Sequence, residues 1–279
     1  MKLIVLISTL DDGILRVPAV LRPTETGVLY VVSWQQSGHR ADDDGAYADV
    51  VDALCAREDV TLTRMEGRGL CRNRNHAMEV AMSQLDDELE EAVFILADDD
   101  ERIADGAFDR VRECYGRYPK LDVALWQMTD CEARTQKRYP SVMTDYRLSP
   151  RYYYPSSVEM TFRSRVFVMG LRFDERFGLG SPSLSSGEEE VFLTDALRRG
   201  LRVYFVPGVL CSTPMSTTGS HVLDEKVLRS KGAVFGYQHT LFRAFFRTLR
   251  EALSLGFRRR VNPFRIFSQI WSGVNYIRS

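Results

Sequence analysis

Nowhere does the chain hold an apolar run near the ~20 residues that a bilayer-crossing helix needs. Its 279 residues include only five cysteines and four histidines. Cys55, Cys71, Cys114, Cys131 and Cys211 are odd in number and scattered, with no C-x-x-C pair. That pattern excludes a disulfide framework and reads as reduced thiols. Net charge is nearly absent too, 37 basic against 38 acidic residues, whereas a generic nucleic-acid binder would be plainly basic. There is no internal repeat, no low-complexity tract and no Gly-Lys-Ser/Thr of a Walker loop. At 44% hydrophobic and 27% charged residues, the composition is that of a globular protein and excludes disorder. The N-terminus, MKLIVLISTLDDG, carries one lysine and a short apolar run that meets acids by Asp11, with no small-residue cleavage site. This predicts a cytoplasmic chain.

The balanced total conceals a split. From Leu223 onward there are eleven basic and three acidic residues, a net +8, so residues 1–222 carry −9. This suggests an acidic catalytic body, residues 1–221, and a basic extension, residues 222–279, suited to something anionic. Within the body, continuous apolar β-branched runs predict buried strands: Lys2–Ser8, Val28–Ser33, Val60–Thr63, Ala92–Ala97, Val123–Met128, Val158–Phe162 and Leu201–Val206, the last stopped by Pro207. Helical spacing lies between them, at Tyr47–Cys55, Ala77–Leu85, Phe108–Tyr115, Val166–Leu171 and Val191–Arg199. The alternation predicts an α/β fold with a mostly parallel sheet covered on both faces. Ligands in such sheets bind beyond the carboxyl ends of strands, which directs attention to Thr9–Asp12, Gln35 and Asp98–Glu101.

Three clusters could carry chemistry. Phe94–Glu101, FILADDDE, ends a buried strand in four consecutive acids. Hard oxygen ligands in that arrangement suit Mg²⁺ or Mn²⁺, and a metal with open positions can grip a diphosphate. The plain alternative is an acidic turn capping a helix from Ile103. Gly180–Leu193, GSPSLSSGEEEVFL, brings Glu188, Glu189 and Glu190 to a helix N-terminus, where the dipole stabilises a carboxylate able to accept a proton, or is merely complemented by it. Glu66–Met78, EGRGLCRNRNHAM, pairs glycines with Arg68, Arg72 and Arg74 at a helix start, either a phosphate-binding end or ordinary surface arginines.

In order along the chain, STLDD (Ser8–Asp12), the Gly69–Asn75 segment ending RNRN, LADDD (Leu96–Asp100), FDERFGLG (Phe173–Gly180) and GEE (Gly187–Glu189) resemble the family 2 glycosyltransferases of the GT-A fold. The likeness covers roughly residues 1–210 and is strongest to bacterial members that build surface polysaccharides. It implies a Rossmann-like GT-A domain with a helical C-terminal extension. It also implies inverting transfer of a sugar from a nucleotide-diphospho-sugar, a UDP-sugar being favoured, to a glycan or lipid-linked acceptor. By the same resemblance Thr9, Asp11, Asp12 and Gln35 would line the nucleotide pocket, and Arg74 and Asn75 would contact the nucleotide or diphosphate. The family's D-x-D falls on Asp98–Asp100. Asp98 and Asp100 would hold Mn²⁺ or Mg²⁺, and Asp98 and Asp99 would touch the donor, although a run of three aspartates leaves the register open by one. Glu189 or Glu188 would be the general base. Asp11 and Glu189 stand where the family usually has Asn and Asp. The alternatives are a sugar nucleotidyltransferase, which would want a basic glycine-rich loop after the first strand, and a non-catalytic nucleotide-sugar or membrane-binding module.

Other residues are read more plainly. His221 is either a third metal ligand or a loop histidine, His76 is structural, Trp126 belongs to the core, and Tyr152–Pro155 either stacks on a sugar or packs a loop. In the extension, Phe242, Phe245, Phe246, Leu249, Leu253 and Phe257 recur on one helical face with arginines beside it. That face suits peripheral contact with anionic lipid, or else packing on the body or on a second subunit.

Overall fold

The computed structural model describes residues 1–38, 44–85, 92–135, 137–150, 153–214 and 223–279. The strands are β1 (Leu3–Leu10), β2 (Val28–Gln36), β3 (Val60–Glu66), β4 (Val93–Asp98), β5 (Arg102–Ile103), β6 (Val123–Thr129), β7 (Thr144–Asp145), β8 (Met160–Arg163) and β9 (Val203–Ser212). The helices are α1 (Asp44–Cys55), α2 (Leu70–Ser83), α3 (Ala107–Arg117), α4 (Ser164–Val168), α5 (Glu188–Arg198), α6 (Glu225–Gln238), α7 (Leu241–Arg259) and α8 (Pro263–Arg278). The chain forms two compact units. One comprises Met1–Arg68, Arg72–Arg172 and Asp195–Met215; the other comprises Gly69–Cys71, Phe173–Thr194 and Ser216–Ser279.

The first unit contains one sheet in the order β3-β2-β1-β4-β8-β6-β9-β5, with β7 also on β9. The long pairings, β1 with β2 and β4, β2 with β3, and β6 with β9, are parallel, whereas those of β8, β5 and β7 are antiparallel and only two or three residues long. Leu3, Val5 and Ile7 of β1 join one core with Val93 and Ile95 of β4, Tyr47 and Leu54 of α1 and Phe108 and Val111 of α3. Residues of the opposite parity, Ile4, Leu6, Phe94 and Leu96, are just as buried, as continuous apolar runs require. Because β2 and β3 extend the sheet on one side of β1 while β4 lies on the other, the strand order reverses between β1 and β4.

Two expectations are corrected. β9 does not stop at Pro207 but runs on to Ser212. Proline removes a ladder donor, which is tolerated where pairing is irregular; the register against β6 shifts between Leu125 and Gln127, and Gly208 follows with φ +149°. Nor does a helix begin at Ile103. Arg102 and Ile103 pair with Ser212 and Cys211 as β5, and α3 starts only after Gly106. The acidic run is therefore no helix cap.

In the second unit Phe177, Leu184, Val191 and Val234 pack into one apolar cluster, and Leu228, Leu255, Ile266 and Ile270 into another. The helices α6 and α8 approach through glycine. A Cβ on Gly232 would lie 1.7 Å from the Ile270 carbonyl oxygen, and one on Gly273 would lie 1.8 Å from that of Arg229. Among the described residues no helix is long and apolar enough to cross a membrane.

Candidate active site

At the carboxyl ends of β1 and β4 the backbone pairs Ser8 with Asp98. Just beyond, Thr9 Oγ1 donates to Asp99 Oδ2 at 2.6 Å. Arg16, on the 3₁₀ segment Asp11–Ala19, grips Asp99 Oδ1 through Nε and Nη2 at 3.1 and 2.5 Å. This clamp leaves no room at Gly13, where a Cβ would sit 2.0 Å from Asp99 Oδ2 and 2.5 Å from Thr9 Oγ1. From α2, the buried Arg74 donates through Nη2 to Asp98 Oδ1 (3.1 Å) and Ser157 Oγ (2.6 Å), and Asn73 Nδ2 donates to the Thr9 carbonyl (2.9 Å). Thr9, Arg74, Asp98 and Asp99 are thus brought together at the point where the strand order reverses, the usual ligand crevice of open α/β sheets.

The other residues of this strand end are nearby. Asp11, at φ +47°, accepts from Ser37 N (2.7 Å) and Ser37 Oγ (2.5 Å) and offers its carbonyl to Trp34 Nε1. Asp12 accepts from the Tyr47 hydroxyl. Gln35 pairs with Leu10 at the end of β2 and is buried, and among the described residues its Nε2 has no hydrogen-bond partner. Asn75 is buried on α2, while Arg68 and Arg72 are exposed, so only Arg74 of the three arginines turns inward. Arg16, Ser37, Asn73 and Ser157 escape the sequence reading. Asn73 alone has a visible signal, the doubled Arg-Asn of Arg72–Asn75.

The four acids are not equivalent. Asp99 is held by Thr9 and Arg16, and Asp98 by Arg74 with a third of its side chain (34%) exposed. Asp100 is exposed; partial withdrawal from water, then the charges of Asp98 and Asp99, raise its carboxyl above the usual range, with Arg16 opposing. Glu101 differs from the other three. It is buried, and burial, then the charge of Asp98, push it well above the carboxylate range. Among the described residues no group of three or more His, Cys, Asp or Glu side chains is arranged to hold a metal. The donor set, two mutually repelling carboxylates with no third, fits a hard divalent ion that completes its shell with phosphate and water.

In the second unit, α5 begins at Glu188, three residues before the predicted Val191, and so has Glu188, Glu189 and Glu190 in its first turn. Glu188 is buried beneath Gly178, where a Cβ would come within 3.3 Å of Glu188 Cδ and 3.1 Å of Cys71 Sγ; Glu189 and Glu190 are half-buried. Phe173 of the FDERFGLG segment stacks on Phe192 of α5 at 4.4 Å, and Arg176 pairs with Asp174. His221 and Tyr152 lie outside the described residues. His76 binds Thr63 Oγ1 (3.0 Å) and the buried Trp126 donates to Thr161 Oγ1 (2.9 Å), both structural. Tyr153 is buried against Phe205, and Tyr154 is exposed over the Lys137 ammonium.

No protein-family model matches the sequence, and no curated protein matches it. Solved structures do. Residues 1–349 of S. aureus TarS share 15% identity at TM-score 0.61, over 99% of this chain and 83% of that one. The chain has the GT-A fold. The TarS structure in complex with UDP-GlcNAc matches equally, at TM-score 0.61 and 15% identity over 99% of this chain and 84% of that one. GalNAc-T7 with UDP, GalNAc and Mn²⁺ matches at TM-score 0.59 and 12% identity, over 96% of this chain and 56% of the other.

Proposed function

We propose that this chain is a metal-dependent inverting glycosyltransferase of the family 2 type, acting in the cytoplasm in surface-polysaccharide synthesis. It would take a nucleotide-diphospho-sugar, UDP-linked by preference, and a glycan or lipid-linked acceptor. The observation that carries this reading is the aspartate run at the end of β4, beside β1 at the strand-order reversal, with Arg74 buried against Asp98. The GT-A fold adds support, since TarS binds UDP-GlcNAc and GalNAc-T7 was crystallised with UDP and Mn²⁺.

Asp98 and Asp100 would hold Mn²⁺ or Mg²⁺, which supplies charge neutralisation for a departing diphosphate. Arg74 orients Asp98, and Thr9 with Arg16 fixes Asp99 for the donor's sugar or ribose hydroxyls. Asp11, Asp12, Gln35 and Asn75 surround the nucleoside. Glu189, more accessible than Glu188, takes the proton of the acceptor hydroxyl as that oxygen attacks the anomeric carbon from the side opposite the leaving group. A nucleotidyltransferase is disfavoured because the turn after β1 supplies Asp11 and Asp12, and its arginine, Arg16, is engaged by Asp99.

In the presence of Mn²⁺, UDP at about 100 times its dissociation constant should stabilise the protein by about 2.7 kcal/mol. A panel of donors should then reveal one whose nucleoside diphosphate is released in the presence of acceptor. The absence of any melting shift with UDP, GDP or CDP would overturn the enzyme reading; a shift without turnover would favour the non-catalytic module. Gly13→Ala tests the clamp. Its methyl must displace the Asp99 carboxylate, and a misplacement of about 1 Å costs on the order of 10²-fold in kcat/KM, measurable with the preferred donor.

A further inference from the structure

The helix α7 is packed the opposite way from an ordinary amphipathic helix. Its buried positions are mostly small, Ala244, Thr248, Ala252 and Gly256 with Leu255, while the large apolar stripe faces solvent. Phe242 is 73% exposed and Phe257 81%, with Phe245, Phe246, Leu249 and Leu253 between them, and Phe264 at the start of α8 is 84% exposed. The stripe continues across α8 as one aromatic surface: Phe245 meets Phe246, Phe267 and Trp271 at ring separations of 5.5, 5.6 and 5.7 Å. A contiguous apolar face of this kind marks an interaction surface.

Charge identifies the partner. Residues 241–279 hold eight arginines and one acid, Glu251, which is itself bound by Lys231 at 2.5 Å. Arg243 and Arg250 flank the stripe, and Arg259, Arg260 and Arg265 cluster at the α7–α8 turn; all five are exposed, and among the described residues none has a carboxylate partner. A second copy docking the same face would set net +7 against net +7. A soluble polyanion would satisfy the arginines and leave the phenylalanines in water. An anionic lipid surface meets both needs, with headgroups for the guanidinium groups and acyl chains for the rings.

We propose that the α7–α8 face is a peripheral membrane-binding surface that lies in the headgroup region of anionic bilayers. The inference is independent of the catalytic reading, because vesicle binding is measured without donor or acceptor. The full chain should float with vesicles of phosphatidylcholine containing about 30% phosphatidylglycerol at least tenfold more than with phosphatidylcholine alone, and about 0.5 M salt should weaken this. Trp34 and Trp126 are buried and Trp271 is half-exposed, so quenching of tryptophan emission by brominated lipid would report insertion at Trp271. Arg243→Gln with Arg250→Gln and Arg259→Gln should reduce binding by about 10²-fold. Phe242→Ser with Phe257→Ser should abolish quenching while circular dichroism stays unchanged. Equal binding to neutral vesicles, retention of binding by the arginine triple variant, or a dimer in solution that the phenylalanine variant dissolves without any vesicle binding would each overturn the proposal.

Discussion

Glu189→Gln is expected to lower glycosyl transfer by about 10²–10⁴-fold, the usual contribution of a general base, while leaving the UDP-dependent melting shift intact. The amide keeps the size and polarity of the side chain at the first turn of α5 and removes only its capacity to take a proton. Loss of one negative charge near the helix N-terminus should cost about 0.3–1 kcal/mol of stability, too little to unfold the protein. Asp100→Ala should give the complementary result. Turnover should fall by a similar factor, but here the melting shift with UDP and Mn²⁺ should shrink as well, because on the proposed reading this carboxylate would hold the ion that neutralises the diphosphate. Partial withdrawal from water, then the charges of Asp98 and Asp99, raise its carboxyl, so the charged form is disfavoured there until a cation offsets the repulsion. Glu188→Gln separates the two glutamates. Glu188 is buried beside Gly178 and Cys71, so its replacement should disturb stability more than Glu189→Gln does. If Glu188→Gln alone abolishes transfer with donor binding and melting intact, Glu188 is the base. If both variants turn over normally, neither is, and the inverting assignment fails.

How far the sequence leads depends on the range of the interaction. The strands β1, β2 and β4 are legible because fully buried parallel strands must be apolar at every position, and Leu3–Ile7 and Val93–Ala97 are. The acids that end β4 are legible as a candidate site because polar residues closing such a run usually face solvent or a ligand, although Glu101 is buried. Arg16 and Ser157 are not legible: they reach Asp99 and Arg74 across 83 residues of chain, and no local pattern encodes that meeting. The antiparallel β8 between β4 and β6 is hidden for a related reason, since apolar content reports burial but carries no strand direction. Pro207 misleads because its usual meaning, a strand end, yields to a local register shift. In α7 the 3.6-residue period identifies the apolar stripe correctly. Which face turns inward is decided by neighbouring helices that need small residues, and periodicity does not contain that choice.

The helical unit supplies the second large effect, and it reverses the usual sign of a glycine substitution. In a helix, Gly→Ala ordinarily stabilises by about 0.5–1 kcal/mol through backbone entropy. Gly116 of α3, exposed and with nothing within 4 Å of where a methyl group would stand, should show that gain. Gly232 and Gly273 should do the opposite. Their methyl groups would fall 1.7 and 1.8 Å from the carbonyl oxygens of Ile270 and Arg229, far inside any normal carbon–oxygen contact. Backbone carbonyls cannot swing aside as a side-chain end does, so α6 and α8 must separate along their shared length. Separation opens the contacts among Leu228, Ile266 and Ile270 and between Gly236 and Val274. Overpacking typically costs about 1–3 kcal/mol and sometimes more; with backbone as the obstacle, each variant should lie at or above the top of that range. Calorimetric melting of the three alanine variants beside the parent should therefore give a higher midpoint for Gly116→Ala and lower midpoints for Gly232→Ala and Gly273→Ala. Because Gly273 and Gly232 report on the same interface, the double variant should fall well short of the sum of the singles. Midpoints within a degree of the parent for both would mean that α6 and α8 do not approach as closely as described.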